Sequence, residues 1–403
     1  MKNSCDRSPG TAPVVLAGFC AFTNLFLTQP ILPLLAGLFG ASKAAVSLTV
    51  TAATLGVAIA APFIGLLADR LGRKPVIVWS AALLGLTTLL AATSPTLPWL
   101  IFWRFLQGLV TPGVFAITVA YINDEWPPER VGAAAGAYVS GTVVGGFSGR
   151  AISGLASEFT NWRWGFVIAG AASIAIAVVL AKTLPLERRF VRGTHSSLLR
   201  PALAHMRNPQ LLATYSAGFC VLFTIIALFT YATFHLAAPP FSLSPGQLGA
   251  IFSVYLVGAS ITPVAGRAID RFGHRKTVLL ASAVGMTGAL ISLIPSVWGV
   301  LIGLTLGSSG VFVTQSAAVS YIGTVAKEAR ALAVGLYVTF YYVGGSFGST
   351  GPAWIWDAWK WPGCVALIIG VQTVLACIVW FAWRPALKPA VPTGFTVPPE
   401  SPA

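Results

Sequence analysis

The feature that constrains this chain most is a train of apolar runs, each long enough to cross a bilayer and separated by short charged or Pro/Gly-rich breaks. A membrane-crossing helix takes roughly 20 mostly apolar residues. The first half offers six such runs, at 13–38, 45–68, 75–93, 97–122, 131–156 and 162–183. The second half offers 210–236, 246–269, 276–294, 297–323, 331–355 and 361–383. In hydrocarbon the backbone must satisfy its own polar groups, and runs of this length do so as helices. Composition points the same way, with 56% of 403 residues hydrophobic and only 9% charged, against about 25% charged in a soluble domain. An all-α polytopic membrane protein is expected. A cytosolic enzyme, a nucleic-acid binder and a secreted disulfide scaffold are excluded.

The formal charge of +14 follows from topology rather than from a nucleic-acid partner. Twelve spans leave both termini on one side, and 20 of the 25 Lys and Arg residues fall there. Five of them (Arg188, Arg189, Arg192, Arg200, Arg207) sit in the central loop 184–209. Only Lys43, Arg163 and Lys360 fall in the opposite loops. By the positive-inside rule, the tail 1–12, the central loop and the proline-rich tail 385–403 are cytoplasmic. The first run is too long for a signal-peptide core and reads as a retained span. Cys5, Cys20, Cys220, Cys364 and Cys377 are scattered without metal-ligand spacing and read as packing residues. No metal or cofactor is expected.

The two halves repeat. Ala17-Gly18-Phe19-Cys20 recurs as Ala217-Gly218-Phe219-Cys220. Pro62, Gly65, Asp69, Arg70, Gly72 and Lys74 recur 201 positions later as Pro263, Gly266, Asp270, Arg271, Gly273 and Arg275. Gly145, Gly146 and Trp162 recur at an offset of 199 as Gly344, Gly345 and Trp361. A near-constant offset means duplication into six-helix bundles at 13–183 and 210–384. Parallel repeats of this kind place a substrate site between them near the midplane.

Three motifs stand out. Gly65-Leu-Leu-Ala-Asp69-Arg70-Leu-Gly72-Arg73-Lys74 follows the second run, with a weaker copy at 266–275. Gly65 would allow a helix to approach closely, and Gly72 would permit a tight reversal. The fourth run carries Arg104-Phe-Leu-Gln107-Gly108. Arg104 and Gln107 share a helix face, and an Arg within a span costs about 2.5–3.5 kcal/mol on insertion scales. It should therefore meet water, substrate or a partner, or else snorkel outward. The fifth run is glycine-rich (Gly141, Gly145, Gly146 among others), with Gly344 and Gly345 its counterparts, and reads as a helix-packing face. Arg150 falls near the outer end of that run, where snorkelling or a pair with Glu158 is expected.

With these motifs the chain resembles the major facilitator superfamily over roughly residues 13–384, closest to bacterial efflux permeases of its drug:proton antiporter branch. The fifth run lacks that branch's proline. The resemblance implies two pseudo-symmetric six-helix bundles that rock about a central site. It also makes 65–74 and 266–275 a cytoplasmic latch that holds the bundles together when the site faces outward. It implies export of a small organic molecule across a bacterial inner membrane, coupled to protons, by a functional monomer. An importer or facilitator of a sugar, organic anion or other nutrient is the alternative within the same fold, and a non-transporting receptor or membrane enzyme a remote one.

Pro30 and Pro33 in the first run suggest a kink that frees carbonyls beside Asn24, Thr28 and Gln29. These three, with Arg104, Gln107, Tyr231, Gln315 and Tyr341, are the candidate cavity residues. Lone polar groups in apolar helices also hydrogen-bond a neighbour and do nothing more. All eleven Asp and Glu residues lie in loops, tails or span ends. A cavity without a carboxylate, with Arg104 as its cation, favours neutral or anionic substrates over cations. His235, at an outer span end on one face with Thr224 and Tyr231, reads as interfacial.

Overall fold

The computed structural model describes residues 10–187, 199–326 and 328–383. Arg188, Arg189 and Arg192 of the central loop, Lys327, residues 1–9 with Cys5, and residues 384–403 lie outside them. Helices make twelve passes. Span one is Ala12–Leu25, a short 3-10 turn Gln29–Ile31 and Leu32–Phe39. Spans two to six are Lys43–Leu71, Arg73–Ala92, Leu97–Glu125, Pro128–Phe159 and Trp162–Thr183. A short helix, Leu199–Arg207, precedes span seven, Pro209–Ala237. Span eight is broken into Pro245–Ile251, Val254–Ser260 and the start of Thr262–Ile291, and span nine follows from Gly273. Span ten is Val297–Val325. Spans eleven and twelve are Arg330–Thr350 and Pro352–Ala382, with the chain reversing at Lys360.

Eight of these helices are long and apolar enough to count as spans by length and composition alone. Spans five, eight and nine are disguised for physical reasons. Span five trades apolar bulk for Gly, Ala and Ser. Span eight is interrupted, and spans eight and nine run together through a turn at Gly273.

Each half packs mainly on itself, and the two use the same pairings. Span one lies on five as seven lies on eleven, and three lies on six as nine lies on twelve. The glycine face fixes the first pairing. A methyl group on Gly141, Gly145 or Gly149 would run into the backbone carbonyls of Val15, Phe19 and Thr23. Gly344 and Gly348 stand in the same way over Phe219 and Phe223, while Gly345 packs on Leu222. Small residues let backbones approach where the hydrophobic effect cannot drive helices together. Gly146 departs from that role, because a Cβ there would meet no facing backbone but Arg150 Nη1 at 3.5 Å, and its carbonyl accepts from that guanidinium instead.

Between the halves, span two packs on eleven, and span five on the first piece of eight. The seam between them runs along these contacts.

Candidate functional site

Span one breaks where its prolines predict. Pro30 has no N–H to give to the preceding turn, and the helix ends at Leu25, before the 3-10 turn. The carbonyls it releases do not open onto a cavity. Arg104 takes them: Nη1 donates to Asn24 O at 2.7 Å and Nη2 donates to Leu25 O. Its Nε donates to Thr49 O of span two at 3.2 Å, and Nη1 also reaches Gln107 Oε1 at 2.5 Å. Gln107 Nε2 donates to Thr88 Oγ1 in span three, which donates to Asn24 Oδ1, both at 2.8 Å. Asn24 Nδ2 closes the knot on Ser173 Oγ in span six at 2.8 Å. Five helices of the first half are thus tied through one fully buried guanidinium. Buried polar groups are affordable when every member is satisfied, and this accounts for the cost of Arg104 without water, substrate or snorkelling.

Six of the eight candidate cavity residues are packed away from open space: Asn24, Thr28, Gln29, Arg104, Gln107 and Tyr231 are all buried. Tyr231 donates to Ser349 O at 2.9 Å, inside the second half. Gln315 and Tyr341 are half-buried, and the Tyr341 hydroxyl donates to Gln315 Oε1 at 3.2 Å. His235 stacks on Trp361 at 5.4 Å near its span end.

Gln29 belongs to the seam. Its Nε2 donates to Thr230 Oγ1 of span seven at 3.0 Å, and its Oε1 accepts from Arg150 Nε at 2.9 Å. Arg150 neither snorkels nor pairs with Glu158. It is buried, because span five runs on to Phe159 and sets it nine residues, about 13 Å, from the helix end. Its guanidinium carbon lies 4.6 Å from the ring centres of Phe26 and Phe252 and 4.8 Å from that of Tyr255. Phe26 comes from the first half and the other two rings from span eight.

Glu158 serves the same closure differently. Its Oε2 accepts from Ser244 Oγ and from the Gly246 N–H, each at 2.8 Å, at the start of span eight. Spans two and eleven add Thr54 Oγ1 against Ser346 Oγ at 2.8 Å, Thr51 Oγ1 donating to Ser346 O at 3.1 Å, and Ser349 Oγ donating to Ser47 O at 2.9 Å. These crossings gather in the half of the molecule away from the chain termini. The sequence gives one signal for them: hydroxyl residues spaced along spans two and eleven on the face that meets the other half.

The end that carries the termini is built differently. Gly65, Gly132, Gly136, Gly266, Gly323 and Gly335 have nothing within 4 Å of where a Cβ would stand, so no helix approaches Gly65 as its sequence suggests. Both loop motifs make the expected reversal, with φ of 93° at Gly72 and 76° at Gly273. In the first motif Arg73 pairs with Asp124 of its own half at 2.6 Å, and the Lys74 N–H and ammonium reach Glu187 Oε1 and Leu184 O at the start of the central loop, both at 2.5 Å. In the second, Arg271 lies over Phe272 and Arg275 over Trp380. Asp69, Arg70 and Asp270 lie on the same loops, partly or fully exposed.

Comparison with known proteins agrees with the fold and the duplication. The profile described as Major Facilitator Superfamily matches residues 14–239 and again 229–401. The chain is 34% identical over 375 residues to the Inner membrane transport protein YnfM of Escherichia coli strain K12, covering 92% of this chain and 89% of that one. It is 32% identical over 389 residues to an uncharacterized transporter of Buchnera aphidicola subsp. Schizaphis graminum, covering 96% and 92%. Among solved structures it is similar to a mutant of the nucleoside transporter NupG, with TM-score 0.76, 14% identity and coverage of 93% and 100%. It is also similar to a bacterial homologue of the lysosomal transporter Spinster, with TM-score 0.69, 16% identity and coverage of 92% and 94%. Paired six-helix halves, a repeated loop motif and two successive profile matches lead to one conclusion: the chain belongs to the Major Facilitator Superfamily of membrane transporters.

Proposed function

We propose that this protein exports a small neutral or anionic organic molecule across the bacterial inner membrane by alternating access, in exchange for protons and as a monomer. The observation that carries the reading is the asymmetry of the seam. One end is closed by Gln29–Thr230, Glu158–Ser244 and the hydroxyls of spans two and eleven. At the other end glycines of both halves face open space. A seam that zips at one end and parts at the other is what a rocking pair of bundles requires.

The lysine and arginine bias supports a cytoplasmic location for the open end and both termini. The name of the Escherichia coli relative supports the inner membrane. The substrate's charge class is supported by the described residues that are buried, which include Arg150 at the seam but no Asp or Glu. A cation would find no counter-ion there. Proton coupling and the outward direction rest on the resemblance to the antiporter branch.

Everted membrane vesicles test the reading with a panel of labelled organic acids and neutral metabolites. Accumulation that stops when the pH gradient is collapsed is the expected result. Accumulation indifferent to the gradient removes the proton, and solute gained only by right-side-out vesicles reverses the direction.

A further inference from the structure

Arg104 and Arg150 are both buried, but they are not equivalent. Arg104 spends its donors on three backbone carbonyls and Gln107. Arg150 spends Nε on Gln29 and Nη1 on the Gly146 carbonyl at 2.8 Å. Its Nη2 is buried with no hydrogen-bond partner. A buried cation normally demands a counter-ion and satisfied donors, and three aromatic faces answer only the first need, in part. No Asp or Glu among the described residues is buried with it. The nearest carboxylate along its own helix face, Glu158, is engaged at Ser244 and Gly246.

The cage is also divided. Phe26 travels with the first half, whereas Phe252 and Tyr255 belong to span eight of the second. Parting the seam at this end would take two of the three rings away and leave a guanidinium with a free donor facing the gap. Span five and span eight touch closely here: a Cβ on Gly154 would lie 2.5 Å from Pro245 O and 3.1 Å from Gly249 Cα.

We propose that Arg150 is a gated binding site for the carboxylate of an organic anion with an aromatic or apolar body. The site is capped by Phe252 and Tyr255 while the seam is closed and bared when it opens. The anion completes the unused Nη2 donor, since a carboxylate is the acceptor that best matches a guanidinium fork. Its body takes the place of the departing rings against Phe26. The anion, already loaded from the cytoplasmic end, reaches Arg150 once the seam parts, and the returning rings of Phe252 and Tyr255 compete for the same cation and discharge it outward before the seam closes. The inference rests on the alternating-access reading and adds the substrate's chemical class and its anchor.

The test uses purified full-length protein in detergent, with benzoate, its neutral isostere benzamide, and chloride at matched ionic strength as probes of thermal unfolding. Each is measured in the unchanged chain and in Gly154→Trp, whose indole wedges span five from span eight. Gly249→Trp wedges the same crossing from the other side and serves if the first does not fold. Benzoate is expected to bind the wedged protein at least tenfold more tightly than the unchanged one. In the wedged background Arg150→Gln should lower that affinity tenfold or more, and Arg150→Lys should restore part of it.

An equal response to benzamide, a shift with chloride alone, benzoate binding that survives Arg150→Gln, or no response to benzoate in either wedged variant overturns the proposal. Vesicle transport separates its failure from that of the function. Flux of neutral solutes untouched by Arg150→Gln, with benzoate unbound, removes the site and keeps the transporter. Arg150-dependent benzoate binding without flux of any solute keeps the site and removes export.

Discussion

The first half of the molecule is cored by charge and the second is not. At the heart of spans one to six, Arg104 ties Asn24, Thr49, Gln107, Thr88 and Ser173 into one satisfied network. At the matching depth of the second half, Thr224, Ser282, Thr314 and Gln372 line a small cavity. There Thr224 Oγ1, Ser282 Oγ and Gln372 Oε1 have no hydrogen-bond partner in the protein. The pairings of helices survive from one half to the other, and so does the glycine face that sets them. The polar wiring does not. Duplication has kept what packing requires and let the buried polar groups diverge, so one lobe is stiffly pinned and the other is loosely filled. Span eight, with its three pieces, belongs to the looser lobe.

Substitutions can break this contrast. The largest effect is expected from Arg104→Ala, which strands the carbonyls of Asn24, Leu25 and Thr49 together. Each buried acceptor left unsatisfied costs about 1–3 kcal/mol, and stranding three at once is read as a steep fall in the midpoint of thermal unfolding. Arg104→Lys, a point charge without the fork, should recover only part of it. Full stability in Arg104→Ala would mean that the first half is not pinned through this residue.

A second pair asks whether the shared feature is shared in energy. Gly145→Val and Gly344→Val press side chains into Phe19 and Phe219 of the facing helix. Each should cost about 1–3 kcal/mol as overpacking, and the two losses should match. A loss in only one half would show that the packing face also has diverged.

The smallest effect is expected where the second half is least satisfied. Gln372→Leu removes a buried acceptor that has no partner and should be neutral or stabilising within about 1 kcal/mol. Asn24→Leu, which breaks a satisfied network in the first half, should cost about 1–3 kcal/mol. Equal penalties would erase the distinction between the lobes.

The sequence is informative about these residues up to a definite point. Gly72 and Gly273 were legible because a reversal between two spans needs a positive φ, and a side chain cannot easily supply one. The break in span one was legible because Pro30 and Pro33 remove backbone donors. Arg150 was not. Its depth depends on where span five ends, and a run of Gly, Ala and Ser gives no sharp boundary. Its neighbours Phe252 and Tyr255 are over a hundred positions away. Span seven shows the same limit from the other side: nearly every residue from Ala213 to Phe234 is buried in protein. Yet its composition is that of a helix facing lipid, since hydrocarbon and a helical core accept the same side chains.

By itself the sequence determined twelve apolar passes, their duplication, the basic end and the turns and glycine faces that join one helix to the next. Each of these is set by length, charge or a local backbone demand. Only the tertiary structure decided which polar side chains meet one another and which end of the seam is closed. Helical periodicity states which residues share a face, but the partner of that face is chosen when twelve helices pack at once. Asn24, Gln107 and Arg104 look alike to a reader seeking a cavity, and packing has turned all three inward to hold a lobe together.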